Sequence, residues 1–242
     1  MMRTWGVLRA AALLAVLAAM TACSSFPTQE YNRDANSGVH VIAIAPIGMP
    51  DMPQVVIINA VGNSFGLIGA LVEAGRASNA SKEAASALQT GNFAYKTYLP
   101  AEIDNGLKAG GFQTIVLPGT RTGSDAGKFL ATLPPAPGAD AVLDIYVTFI
   151  GYAAAGASTP YHPAVHIEAR LTDLRTQKVL FADQVYYNNF TPAAAKKAIS
   201  IEPDPKFAFA DRAAMVAAPA EVSRDLREAC AAVAAELARQ FK

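Results

Sequence analysis

Residues 141–152 read AVLDIYVTFIGY, the pattern of a long and mostly apolar β-strand. Val, Ile, Tyr, Phe and Thr dominate it, the residues that suit a pleated and largely buried surface. Because side chains alternate across a strand, Leu143, Ile145, Val147 and Phe149 share one face, and Val142, Asp144, Tyr146 and Thr148 share the other. Such a strand is central to a sheet, with its second face only partly dry.

Downstream, Val165, Ile167, Ala169 and Leu171 alternate with His166, Glu168 and Arg170, which predicts a strand with one packed and one wet face. Asp173 to Gln177 turns the chain, and KVLFADQVYY at Lys178 to Tyr187 returns as its hairpin partner. Upstream, VHVIAIA at Val39 to Ala45 is a strand stopped by Pro46. Thr114 to Leu117 is another, and a helix over Ala101 to Ala109 precedes it with Ile103 and Leu107 facing the core. Pro100 falls just before or inside that helix's start, where its missing N–H costs little. After Pro219, the residues Val222, Leu226, Cys230, Val233, Leu237 and Phe241 recur at helical spacing. The fold class is α/β, a mixed β-sheet packed against helices.

This order of elements resembles the N-terminal α/β domain of TolB-like proteins and of small envelope lipoproteins related to it. The residues that carry the likeness are VHVIAIAPI at 39–47, EIDNGLKAGGFQTIVLPG at 102–119, GADAVLDIYVTFIG at 138–151 and ARLTDLRTQKVLF at 169–181. In the last of these Asp173, Thr176 and Lys178 match a D-x-x-T-G-like turn, and Gln177 replaces the usual Gly. The resemblance implies binding or assembly roles in the envelope, with no shared enzyme activity.

The N-terminus supplies an address. Arg3 and Arg9 flank a short basic segment, and Ala10 to Met20 is an unbroken run of Ala, Leu, Val and Met. This is the pattern of an export signal, and the run is too short to serve well as a permanent span. Met20-Thr21-Ala22-Cys23 resembles the lipobox of bacterial lipoproteins, with Met20 where leucine is preferred. That likeness implies a triacylated Cys23 and stable anchoring, since one acyl chain alone holds a protein only reversibly. Ser24, in place of Asp, favours the outer membrane with the domain facing the periplasm.

The expected organisation is therefore a lipoprotein signal peptide at 1–22, a lipidated N-terminus and polar tether at 23–38, and one mixed α/β domain at 39–242. Loss of the signal removes Arg3 and Arg9, so 18 basic side chains face 20 acidic ones, a formal charge of −2. That balance offers no positive field for nucleic acid. Cys230 stands alone once Cys23 carries lipid, and its place on the apolar stripe predicts a buried structural thiol.

A helical insertion is expected at about 53–95. Val55 to Ala74 reads VVIINAVGNSFGLIGALVEA; as a helix it sets Ile58, Val61, Phe65, Ile68 and Val72 on one stripe, and Gly62 and Gly66 on a small face. Close helix approach at Gly62 and Gly66, a cover for the domain's own core, and partial insertion into lipid are three open readings. Ala77 to Leu88 continues as helix.

No catalytic residue, cofactor or metal site is assigned. His162, His166 and Glu168 share parity, but the strand rise and Pro163 make them poor zinc ligands. Residues 119–128, GTRTGSDAGK, fail the phosphate-loop pattern, because Thr122 replaces the first Gly and Phe129 the Ser or Thr. Asp144 is the buried-acid candidate: inside an apolar strand its pKa would rise unless hydrogen bonds or cations opposed burial. Tyr161, Tyr186, Tyr187 and Phe190 are candidates for a partner surface, along with Gly62, Phe65 and Gly66. The expected partners are the membrane, through the N-terminal lipid, and an envelope protein or a second copy. The leading reading is an interaction or assembly module. A small-ligand binder or hydrolase acting on an envelope component is the first alternative, and a structural membrane-associated lipoprotein the second.

Overall fold

One strand serves as the spine of the molecule. The computed structural model describes residues 26–58, 74–156, 158–190 and 198–242, with the backbone alone for 74–78. Its seven-stranded mixed sheet comprises β1 (Val41–Ile44), β2 (Gln54–Ile57), β3 (Gln113–Val116), β4 (Ala141–Ala154), β5 (His162–Asp173), β6 (Val179–Tyr187) and β7 (Ile199–Ile201). The described helices are α1 (Ala74–Thr90), α2 (Tyr95–Ala109), α3 (Arg212–Ala217) and α4 (Pro219–Arg239).

The order across the sheet is β3-β1-β4-β5-β6-β7, with β2 also on β4. Strand β4, 14 residues long, pairs antiparallel with β5 along one edge. The other edge takes three parallel partners in turn: β1 beside Ala141 to Leu143, Gly48 beside Tyr146, and β2 beside Gly151 to Ala154. Pro46, Pro50 and Pro53 account for the breaks, since proline has no N–H to give a ladder. The amides of Ala45 and Gly48 still reach Leu143 O and Ile145 O, each at 3.0 Å, so the ladder resumes after Pro46.

Helices α1, α2 and α4 cover one face of the sheet, burying Ile42, Ile44, Leu143, Ile145, Val147, Val165, Ile167 and Leu171. The stripe of α4 packs here as its spacing predicts, with Val222, Leu226, Cys230, Val233 and Leu237 buried. Tyr152 Oη donates to Val222 O at 2.8 Å, fixing the helix to the spine. Apolar side chains of this size stabilise a core by about 1.5–3 kcal/mol each when fully buried, so this layer supplies most of the driving force.

Several expectations from sequence change. Helix α2 begins at Tyr95, so Pro100 lies inside it; Tyr95 and Leu99 are buried, and their packing outweighs the hydrogen bond that Pro100 lacks. A bulge between Val147 and Phe149 reverses the alternation in β4. Phe149 therefore joins Val56, Ile58, Ala153 and Ala164 on the far face, while Ile150 and Tyr152 take the helix side. Val55 to Ile57 is strand, which overturns a helix starting at Val55: pairing to β4 satisfies this backbone. Residues 59–73 of that predicted helix lie outside the described residues, and α1 then covers the helix expected at Ala77 to Leu88.

The polar tether also differs. Gln29 forms an antiparallel bridge to Ala182, with N–H···O distances of 2.7 and 2.9 Å. Tyr31 packs edge-on against Phe241 at 5.3 Å, and Arg33 donates to Phe241 O at 3.3 Å. Residues 26–38 are part of the fold because their backbone and aromatic groups find partners on it.

Gly151 has φ 149°, and a Cβ built there would meet Gln54 O at 1.9 Å. Gly151→Ala is expected to push β2 away from β4 and lower stability by about 2–3 kcal/mol, measured by urea unfolding.

Candidate functional site

The far face of the sheet gathers most of the polar chemistry. Strand parity aims Asp144 and Tyr146 from β4 at this face, with Arg170, Glu168 and His166 as their neighbours on β5. Alternation in β5 predicted that grouping correctly, but the face is covered and not wet. Residues 119–137 lie over it, contributing Leu130, Leu133 and Ala136 to a small core with Ala43, Ala45 and Val142.

Asp144 is fully buried and bonded on both oxygens. Arg121 Nη1 donates to Oδ1 at 2.7 Å; the Leu130 amide and Arg170 Nη2 donate to Oδ2 at 2.7 and 3.2 Å. Arg121 in turn donates to the carbonyls of Ile145, Asp125 and Lys128. Its planar fork suits this multiple clamping, which the single ammonium of lysine would not reproduce. Arg170 also lies over the Phe129 ring at 4.5 Å and donates to Leu130 O at 3.0 Å. The carboxylate is thus the anchor of the covering loop, with its acceptor sites engaged by the protein itself. Asp144 stands out in the sequence, whereas Arg121, 23 residues away in a segment without periodicity, does not.

Next along this face, Tyr146 Oη donates to Glu168, whose other oxygen accepts from Gln184 Nε2 at 2.8 Å. Burial first, then the Glu168 carboxylate, holds the Tyr146 phenol well above its ordinary pKa. Beyond it, the His166 ring stacks on Tyr186 at 4.2 Å and packs against Phe190 at 4.5 Å. Burial pushes the His166 pKa down to about 4, which keeps the ring neutral. Its Nε2 lies 2.9 Å from Asn188 O and so carries the proton, while Nδ1 is buried without a partner among the described residues.

The partner-surface residues separate between the two faces. Tyr186 and Phe190 belong to the His166 cluster; Tyr187 and Tyr161 belong to the helix-side core. Tyr186 and Tyr187 are both buried, so the structure does not bring the four together as one exposed patch. Tyr187 Oη instead accepts from the Asp204 amide at 3.1 Å, and Tyr161 forms a bridge with Phe209. Cys23, Gly62, Phe65 and Gly66 lie outside the described residues. Gly62-Asn63-Ser64-Phe65-Gly66 also has G-x-S-x-G spacing, a pattern whose meaning depends on a strand directly before it and a helix directly after. Cys230 is buried, and burial holds its thiol well above the usual range, away from nucleophilic use.

Two clefts lie at the carboxyl ends of β1 and β3 and beside α1, at about 310 and 470 Å³. Open α/β sheets bind ligands at such strand ends. Here the polar group shared by both clefts is the exposed Lys96–Asp51 pair at 3.5 Å. Among the described residues no cluster of His, Cys, Asp and Glu could hold a metal ion, and no helix is long and apolar enough to cross a membrane.

No protein-family model and no curated protein matches the chain. Among solved structures, a Xanthomonas campestris protein of the DUF330 family is similar at 12% identity and a TM-score of 0.40, covering 88% of this chain and 85% of that one. A Neisseria meningitidis lipoprotein is similar at 19% identity and a TM-score of 0.28, with 60% and 78% covered. PelC from Paraburkholderia phytofirmans, a dodecamer, is similar at 12% and 0.29, with 84% and 94% covered. Likenesses at these values transfer no activity to this chain.

Two outcomes test the electrostatic reading. Asp144→Ala leaves Arg121 buried without its counter-charge and is expected to cost about 3–5 kcal/mol, with faster proteolysis within 119–130. The unfolded His166 takes up its proton near pH 6.5 and the folded one only near pH 4. The unfolded state therefore binds more protons in that window, and stability falls as pH drops through it, by on the order of 3 kcal/mol. In His166→Phe, urea midpoints between pH 7 and 4 should show a correspondingly flatter decline.

Proposed function

We propose that this chain is a lipid-anchored envelope lipoprotein whose α/β domain acts as an interaction or assembly module. The observation that carries the anchor is the junction of the apolar run Ala10 to Met20 with Thr21-Ala22-Cys23, where small residues meet a cysteine able to take lipid. Ser24 extends the reading to the outer membrane, with the domain in the periplasm. The likeness to the TolB N-terminal domain belongs to the same proposal.

The role as a module draws on the state of the groups best suited to chemistry. Asp144 is committed to Arg121, Arg170 and the Leu130 amide, and the Cys230 thiol is buried in the helix-side core. These groups hold the fold together. A ligand-binding reading rests instead on the cleft at the ends of β1 and β3, bordered by Lys96 and Thr120.

The test combines membrane fractionation, intact mass and crosslinking in cells. Native protein is expected in the membrane fraction with an acylated Cys23 at its N-terminus, and Cys23→Ala in the soluble fraction without acyl mass. Crosslinking of native protein should recover an envelope protein or a second copy. An unacylated native chain defeats the anchor, and recovery of neither partner from acylated protein defeats the module.

A further inference from the structure

The domain starts immediately after the anchor. Phe26 stands 6.0 Å from the Phe129 ring, and its surroundings include Tyr146, Glu168, Arg170, Val179 and Ala182. Those residues belong to the middle of β4 and β5 and to β6, so Phe26 lies over the central part of the loop-covered face. Three residues later, Gln29 bridges Ala182 and donates through Nε2 to Val179 O at 2.7 Å. Phe26 is therefore held on the side of the sheet opposite α1, α2 and α4, and the Gln29 bridge pins the chain just after it at the edge of β6.

The chain length between anchor and fold decides the orientation. Cys23 precedes Phe26 by three positions, a reach of at most about 11 Å when fully extended. A domain of roughly 200 residues is about 40 Å across. A leash that short, fastened near the centre of one face, does not let the domain turn over.

We propose, on the lipoprotein reading above, that the loop-covered face lies directly against the phospholipid surface and that the helical layer points into the aqueous space. The surface beside Phe26 fits that neighbour. Phe26 and Phe129 are half-buried rings suited to a boundary with one apolar side, and a mainly apolar cleft of about 400 Å³ runs beside them. Lys128, the residue before Phe129, is an exposed cation. Asp125 pairs with Lys128 at 3.0 Å, and Glu30 is also exposed, so the attraction does not depend on a strong positive field. The helical layer presents Ser86 and Lys82 to solvent on the opposite side.

The experiment uses full-length acylated protein in phosphatidylethanolamine–phosphatidylglycerol vesicles that contain a lipid with a nitroxide headgroup. A bimane fluorophore is attached at Lys128→Cys or Ser86→Cys; the buried Cys230 gives the labelling blank in the native chain. Quenching at 128 is expected to be at least about threefold stronger than at 86, because the two sites lie on opposite sides of a body about 40 Å deep. A flexible Gly-Ser insertion between Ser25 and Phe26 should largely abolish the contrast. Equal or reversed quenching in acylated, vesicle-bound protein overturns the orientation and leaves the lipoprotein reading standing. Full contrast after the insertion overturns the leash as its cause. Intact mass without acyl chains overturns the lipoprotein reading, and the orientation with it.

Discussion

A buried carboxylate near the start of β4, the longest described strand, sets how the far half of this protein packs. Burying an ion costs several kcal/mol unless charge and hydrogen bonds replace water. Asp144 obtains that replacement from Arg121, Arg170 and the Leu130 amide. Two of those three groups lie in the segment after β3, so this segment must run along the sheet instead of out into solvent. Once there, it places Phe129 between the Arg170 guanidinium, the Tyr146 ring and Phe26. The packing of the N-terminal segment thus follows from an electrostatic requirement three contacts away.

The two faces of the sheet are stabilised by different means. On the helix side, buried aliphatic and aromatic groups dominate, and even the hydroxyl of Tyr152 is used to hold α4. On the loop side, polar groups are spaced among smaller apolar clusters, each bonded to its neighbour. Buried networks of that kind fix one arrangement strongly when every member is satisfied. Among the described residues His166 Nδ1 and Arg170 Nε are buried without a partner, and each costs stability that the packing around it must offset.

The sequence displayed the fold wherever burial followed a simple period. The β5–β6 hairpin, the α4 stripe and the central place of β4 are all of this kind. It concealed features that rest on tertiary context. The bulge after Val147 has no local signature, yet it sends Phe149 to the opposite face. β2 is short and merges into a longer apolar run, and only its partner β4 distinguishes it from a helix start. The polar composition of 26–38 concealed its docking because the Gln29 bridge to Ala182 is made by backbone groups, which composition does not report. Asp144 was visible as an anomaly in an apolar strand; Arg121 was not, since an arginine in a Gly- and Thr-rich loop carries no local mark of burial.

The divided edge of β4 has a consequence for the order in which the chain can assemble. The β4–β5–β6 meander joins segments that are close in sequence, whereas β1 and β2 precede their partner by most of the α1–α2–β3 region. Loop-closure entropy must be met before distant pairings give anything back. A chain that emerges N-terminus first would thus present β1 and β2 well before β4 is available. The prolines that interrupt this stretch shorten each unpaired strand, leaving little continuous edge for another chain to join while it waits.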